Sequence, residues 1–93
     1  MDAAETKHEI DQQKVRKILA GFTLPSEIEK VDTVFGVDST GDPAVTLTFH
    51  VRDDAHIGKE ELRRLTSFLS EVTRALLQGN ISGFPYARLE QAS

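Results

Sequence analysis

Two runs near the centre of the chain alternate apolar and polar residues. Val31, Thr33, Phe35 and Val37 form one apolar set, and Val45, Leu47, Phe49 and Val51 the other. Strand side chains alternate between faces with period two, so each set shares one face. Between the runs lies Asp38-Ser-Thr-Gly-Asp-Pro43, all turn-forming residues. The pattern predicts an amphipathic hairpin. Asp38 and Gly41 match the first and fourth positions of a type I turn. Aspartate there accepts local N–H groups, and glycine tolerates the positive φ that often follows. Pro43 cannot donate to a ladder, so it belongs at the start of the second strand.

A different period follows. Leu62, Leu65, Leu69, Val72 and Leu76 recur at steps of three and four, and Phe68 and Leu77 widen the stripe. This predicts a helix over about 58–78, stopped by Gly79-Asn80. A weaker stripe of Ile10, Val15, Ile18, Leu19 and Phe22 predicts a first helix over about 7–20. Thr6-Lys-His-Glu9 has the form of a capping box at its start. Gly21 and Pro25 end it. Ser26–Lys30 then leads into the first strand, in the form of a single helical turn. Phe84–Leu89 is a candidate third strand, and Pro85 favours a sheet edge for it.

The order is therefore α-β-β-α-(β), an α+β fold with a small, mainly antiparallel sheet. Both helices must cover the same apolar face, because nothing else can bury it. A right-handed crossover could lay the third strand beside the first, antiparallel to it, giving order 2-1-3. The second strand would then be an edge. The other face, with Asp32, Val34, Gly36, Thr46, Thr48, His50 and Arg52, would be bare. Residues 1–93 read as one domain, with 1–6 and 90–93 as flexible ends.

Composition narrows the function classes. The 93 residues are 39% hydrophobic and 28% charged, as in a soluble globular protein. There is no cysteine, which removes disulfides and thiolate metal sites. No apolar run approaches the roughly 20 residues that cross a membrane. The polar start lacks the form of a secretion signal, so a cytoplasmic location is expected. A net charge of −4 argues against a nucleic-acid binder, for which Lys59, Arg63 and Arg64 are the available cations.

Few residues invite chemistry. His50, Asp53, Asp54 and His56 are the densest group of possible metal ligands, but their spacing matches no recurrent zinc pattern. Acids before a helix more often act as caps. Asp38 and Asp42 lack the ligand series of a calcium loop. Ser39, Ser67, Ser70 and Ser82 show no nucleophile elbow or partnered histidine. No catalytic residue and no cofactor is assigned.

The strand Val34-Phe-Gly-Val, the turn Asp38-Ser-Thr-Gly-Asp-Pro-Ala44, the acidic pair Asp53-Asp54, a helix rich in leucine and arginine, and the terminal Tyr86-Ala-Arg88 form a larger pattern. Over residues 27–90 it resembles a group of small bacterial proteins of unassigned function. The resemblance implies a companion of other proteins, sometimes in toxin–antitoxin or defence settings, and supplies no ligand. The expectation is a non-enzymatic protein-interaction module, either a homodimer or the companion of another bacterial protein. Thr46, Thr48, His50, Arg52, Tyr86 and Arg88 are its candidate partner-binding residues. The alternative is a small metal-binding protein or metal-dependent enzyme centred on His50, Asp53, Asp54 and His56.

Overall fold

The computed structural model describes residues 3–91, with side chains from Asp11 onward. Five elements follow in order: α1 (Ala3–Ala20), β1 (Ile28–Val37), β2 (Pro43–Val51), α2 (Lys59–Gln78) and β3 (Phe84–Glu90). The candidate third strand is thus a strand. Residues 1–2 and 92–93, parts of the ends expected to be flexible, lie outside the described residues, as does the side chain of Ile10.

The hairpin forms where the alternation places it. Val31 faces Phe49, Thr33 faces Leu47 and Phe35 faces Val45 across the antiparallel β1–β2 pair. Gly41 donates its N–H to the Asp38 carbonyl at 3.0 Å, and its φ is +87°. The Asp38 carboxylate accepts from the backbone N–H of Thr40 at 2.9 Å and of Asp42 at 3.1 Å. Pro43 is the first residue of β2.

The sheet order corrects the expectation. It is β1-β2-β3, with β3 parallel to β2, so the sheet is mixed and β2 is central. The direction of β3 is the one expected; its neighbour is not. A parallel strand needs a crossover helix, and α2 supplies it most directly by returning the chain beside the strand it left. Burial also favours this solution. Val45, Leu47, Phe49 and Val51 are all buried, and Ala44 and Thr48 on the other face are buried too. A strand covered on both faces belongs in the middle. The open edges are those of β1 and β3.

Two element boundaries differ as well. α1 starts at Ala3, so Thr6 lies inside the helix and not at its start. Ala3, Ala4 and Glu5 are strong helix formers and extend it backward. Ile28–Lys30 is strand, not helical turn. Ile28 is buried opposite Val51, which rewards extending the hairpin. A hydrogen bond from its N–H to the Pro25 carbonyl closes a tight turn before it.

The core joins both helices to one sheet face. Val15 of α1 and Leu65, Val72 and Leu76 of α2 pack with Ile28, Val45, Leu47, Phe49 and Val51. Phe68 bridges Phe49 and Phe22 edge-on, at ring-centroid distances of 5.5 and 6.0 Å. Leu62 and Leu77, read as part of the core stripe, are exposed on α2. Val37 is exposed beside the turn.

Polar ties lock the periphery. The Asp11 carboxylate is buried in α1 and accepts from the Ser82 N–H, 3.1 Å from each of its oxygens. Lys14 donates to the Asn80 carbonyl at 3.1 Å. Arg64 of α2 grips Glu27 through both guanidinium nitrogens. That guanidinium holds the Glu27 carboxyl below its ordinary range.

Candidate interaction surface

The second face of the sheet has no helix over it among the described residues. Its rows follow from the register. Asp32, Thr48 and Arg88 form one row, Val34, Thr46 and Tyr86 the next, and Gly36, Ala44 and Phe84 the last, beside the turn.

Toward the turn the face is apolar. Val34 is 62% exposed, Phe84 52% and Tyr86 44%. The Phe84 and Tyr86 rings lie 5.1 Å apart, tilted by 52°. Gly36 and Ala44 complete the row beside Phe84 and add almost no side chain of their own. Three large apolar side chains thus stay wet side by side, the kind of patch on which contact surfaces are commonly built.

Away from the turn the face is polar and internally paired. His50 Nε2 lies 2.6 Å from Asp32 Oδ2, and Nδ1 lies 4.0 Å from a Glu90 oxygen. A carboxylate only accepts, so the Nε2–H donates to Asp32. Arg88 Nε donates to the Thr48 hydroxyl at 3.2 Å. The Tyr86 hydroxyl donates to Asp38 Oδ2 at 3.4 Å, which ties β3 to the hairpin turn. Desolvation and the nearby Asp38 charge raise the Tyr86 phenol above its ordinary value. The Thr40 hydroxyl and local N–H groups hold the Asp38 carboxyl below its own.

The six candidate partner-binding residues divide. Thr46, His50, Tyr86 and Arg88 share this face. Thr48 lies on it too but is only 7% exposed, because Arg88 lies against its hydroxyl. Arg52 lies past the end of β2, exposed, and its side chain donates to the Ser26 carbonyl at 3.0 Å. Phe84 was missed by sequence reasoning. Its place two residues before Tyr86 was the available signal, since period two puts both on one face.

The metal candidates do not converge. His50 turns to Asp32 on the sheet, while Asp53, Asp54 and His56 belong to the loop before α2. Among the described residues no three His, Asp or Glu side chains are grouped to hold a metal ion. Of the cations considered for nucleic acid, Arg64 is bound to Glu27 and Arg63 lies 3.9 Å from Glu60. No helix among the described residues is long and apolar enough to cross a membrane. No protein-family model matches the chain, and no curated protein matches its sequence.

Proposed function

We propose that this protein is a non-enzymatic protein-interaction module that docks a protein partner on its open sheet face. The partner is a second copy or a companion protein, the latter in keeping with the resemblance to bacterial companions in toxin–antitoxin or defence settings. The observation that carries the reading is the exposed cluster of Val34, Phe84 and Tyr86 on a rigid sheet. The polar groups on the same face are already bonded to one another. They frame the apolar area and give it a fixed shape.

Val34→Lys is the test. The side chain is exposed, so a lysine there disturbs the partner surface while leaving the core intact. The parent and the variant are each tagged and used to capture proteins from the source cell, with light scattering run in parallel. The variant should melt like the parent and lose the partner that the open face holds. An unchanged partner profile from a well-folded Val34→Lys protein would refute this use of the face.

A further inference from the structure

The two open edges of the sheet are not equivalent. On β1 the pairing with β2 is irregular between Ile28 and Lys30, and the strand carries Glu29, Lys30 and Asp32. Such irregularities and charges discourage another strand from adding. The β3 edge is different, because it borders an empty groove of about 450 Å³ beneath α2. Thr66, Leu69, Ser70, Thr73, Arg74 and Leu77 of α2 and Ala87 of β3 line it. Of these, Thr66, Ser70, Thr73 and Leu77 recur at steps of three and four as an uncharged stripe, with Arg74 at its margin.

Proline fixes which groups β3 offers. Pro85 sits opposite Val45 but has no N–H. Its neighbours Phe84 and Tyr86 must therefore carry the ladder to β2. By alternation Ala87 and Leu89 turn their N–H and C=O outward, and Pro85 offers only its C=O. This pattern is self-complementary. If two β3 strands run antiparallel about Ala87, the two Ala87 residues exchange two hydrogen bonds. Each Leu89 N–H then meets the Pro85 carbonyl of the other copy, so the missing proline donor leaves no donor stranded. Tyr86 comes opposite Arg88 twice, at non-hydrogen-bonded positions where side chains lie closest. A guanidinium over a phenol ring is an attractive pair. On the other face, the small Ala87 lets the two α2 stripes close over the groove.

We infer that the occupant of this edge is a second copy of the chain, joined through β3 about Ala87 to make one six-stranded sheet. The inference rests on the protein-binding reading above, gives the second copy the β3 edge in this register, and leaves the open face to a companion protein. The two apolar clusters then lie on one continuous sheet.

Sedimentation of the full chain tests it. The parent should weigh twice 10.3 kDa. Ala87→Pro removes an N–H that serves only the open edge, and should weaken the dimer about thirtyfold, as expected for two lost hydrogen bonds. Ser70→Arg puts like charges across the groove and should weaken it too, without touching β3. Tyr86→Arg should break the dimer by opposing guanidiniums, and the double variant Tyr86→Arg/Arg88→Tyr should restore it. A double variant no better than the single one overturns the register. A parent that stays monomeric at about 0.5 mM overturns the inference; capture of another protein lost in Val34→Lys would then leave the binding reading standing. A dimer that survives Ala87→Pro and Ser70→Arg but falls with Val34→Lys also overturns it, in favour of the open face.

Discussion

Gly83 has an ordinary backbone conformation, yet it has no room for a methyl group. A Cβ built there lies 3.0 Å from the Ala44 carbonyl carbon and 3.2 Å from its Cα and N. Comfortable carbon contacts begin at about 3.5 Å. Ala44 cannot retreat, because it is paired with Gly36 on one side and Phe84 on the other. Overpacking of this kind costs about 1–3 kcal/mol. Alanine also restricts the unfolded chain, which returns about 0.4–1 kcal/mol. Gly83→Ala should therefore destabilise the fold by about 1–2 kcal/mol, a fall in Tm of at least about 4 °C. Gly79 is the control. Its added Cβ comes closer to a neighbour, 2.5 Å, but that neighbour is Ile18 Cδ1, the tip of a flexible side chain. Turning it costs about 0.5–1.5 kcal/mol, similar to the gain from alanine. Gly79→Ala should be close to neutral. Urea melts of both variants, with unchanged slopes, provide the comparison. If Gly79→Ala loses more stability than Gly83→Ala, neighbour rigidity does not decide these sites and the reasoning fails.

Three other outcomes are expected. Leu65→Ala empties a fully buried site between α2 and the sheet and should cost roughly 2–5 kcal/mol in urea melts. Asp11→Ala leaves the Ser82 N–H without its acceptor and should cost about 1–3 kcal/mol, with hydrogen exchange at Ser82 accelerated. Asp38 and Glu27 have folded-state values below their ordinary 3.8 and 4.5, so the folded protein favours their charged forms. Their contribution is complete above the ordinary values and is lost as pH falls through the lowered ones. Glu27→Gln should flatten the acid limb of the stability–pH curve, and an unchanged limb would count against the Arg64 pair.

The parts legible in sequence are those that local physics decides. The α2 pattern gives the helix to within a residue, because its stripe is long and periodic. The turn is legible because Asp38, Gly41 and Pro43 each have one strong backbone preference. The sheet order is not legible. Direction follows from the crossover, but whether β3 lies beside β1 or β2 depends on the packing of α2, which no single segment encodes. The signal overlooked was β2 itself, where Ala44 and Thr48 suit a covered outer face. Asp11 was also hidden. A carboxylate on a polar helix looks solvated until the loop carrying Ser82 is brought against it. For the candidate surface, period two found Tyr86 and Arg88 together, and the same period carried one step back reaches Phe84.

The tie between Asp11 and Ser82 joins residues 71 positions apart. It sets an order of events during synthesis. α1 leaves the ribosome before the strands, yet two of the groups that tie it, on Asn80 and Ser82, follow 66 and 71 residues after their partners. Until then β2 has a partner on one side only, and the Asp11 carboxylate has no Ser82 N–H to accept from. The helix and the loop before β3 therefore complete their ties together, and α1 waits for that loop while the hairpin and α2 are made.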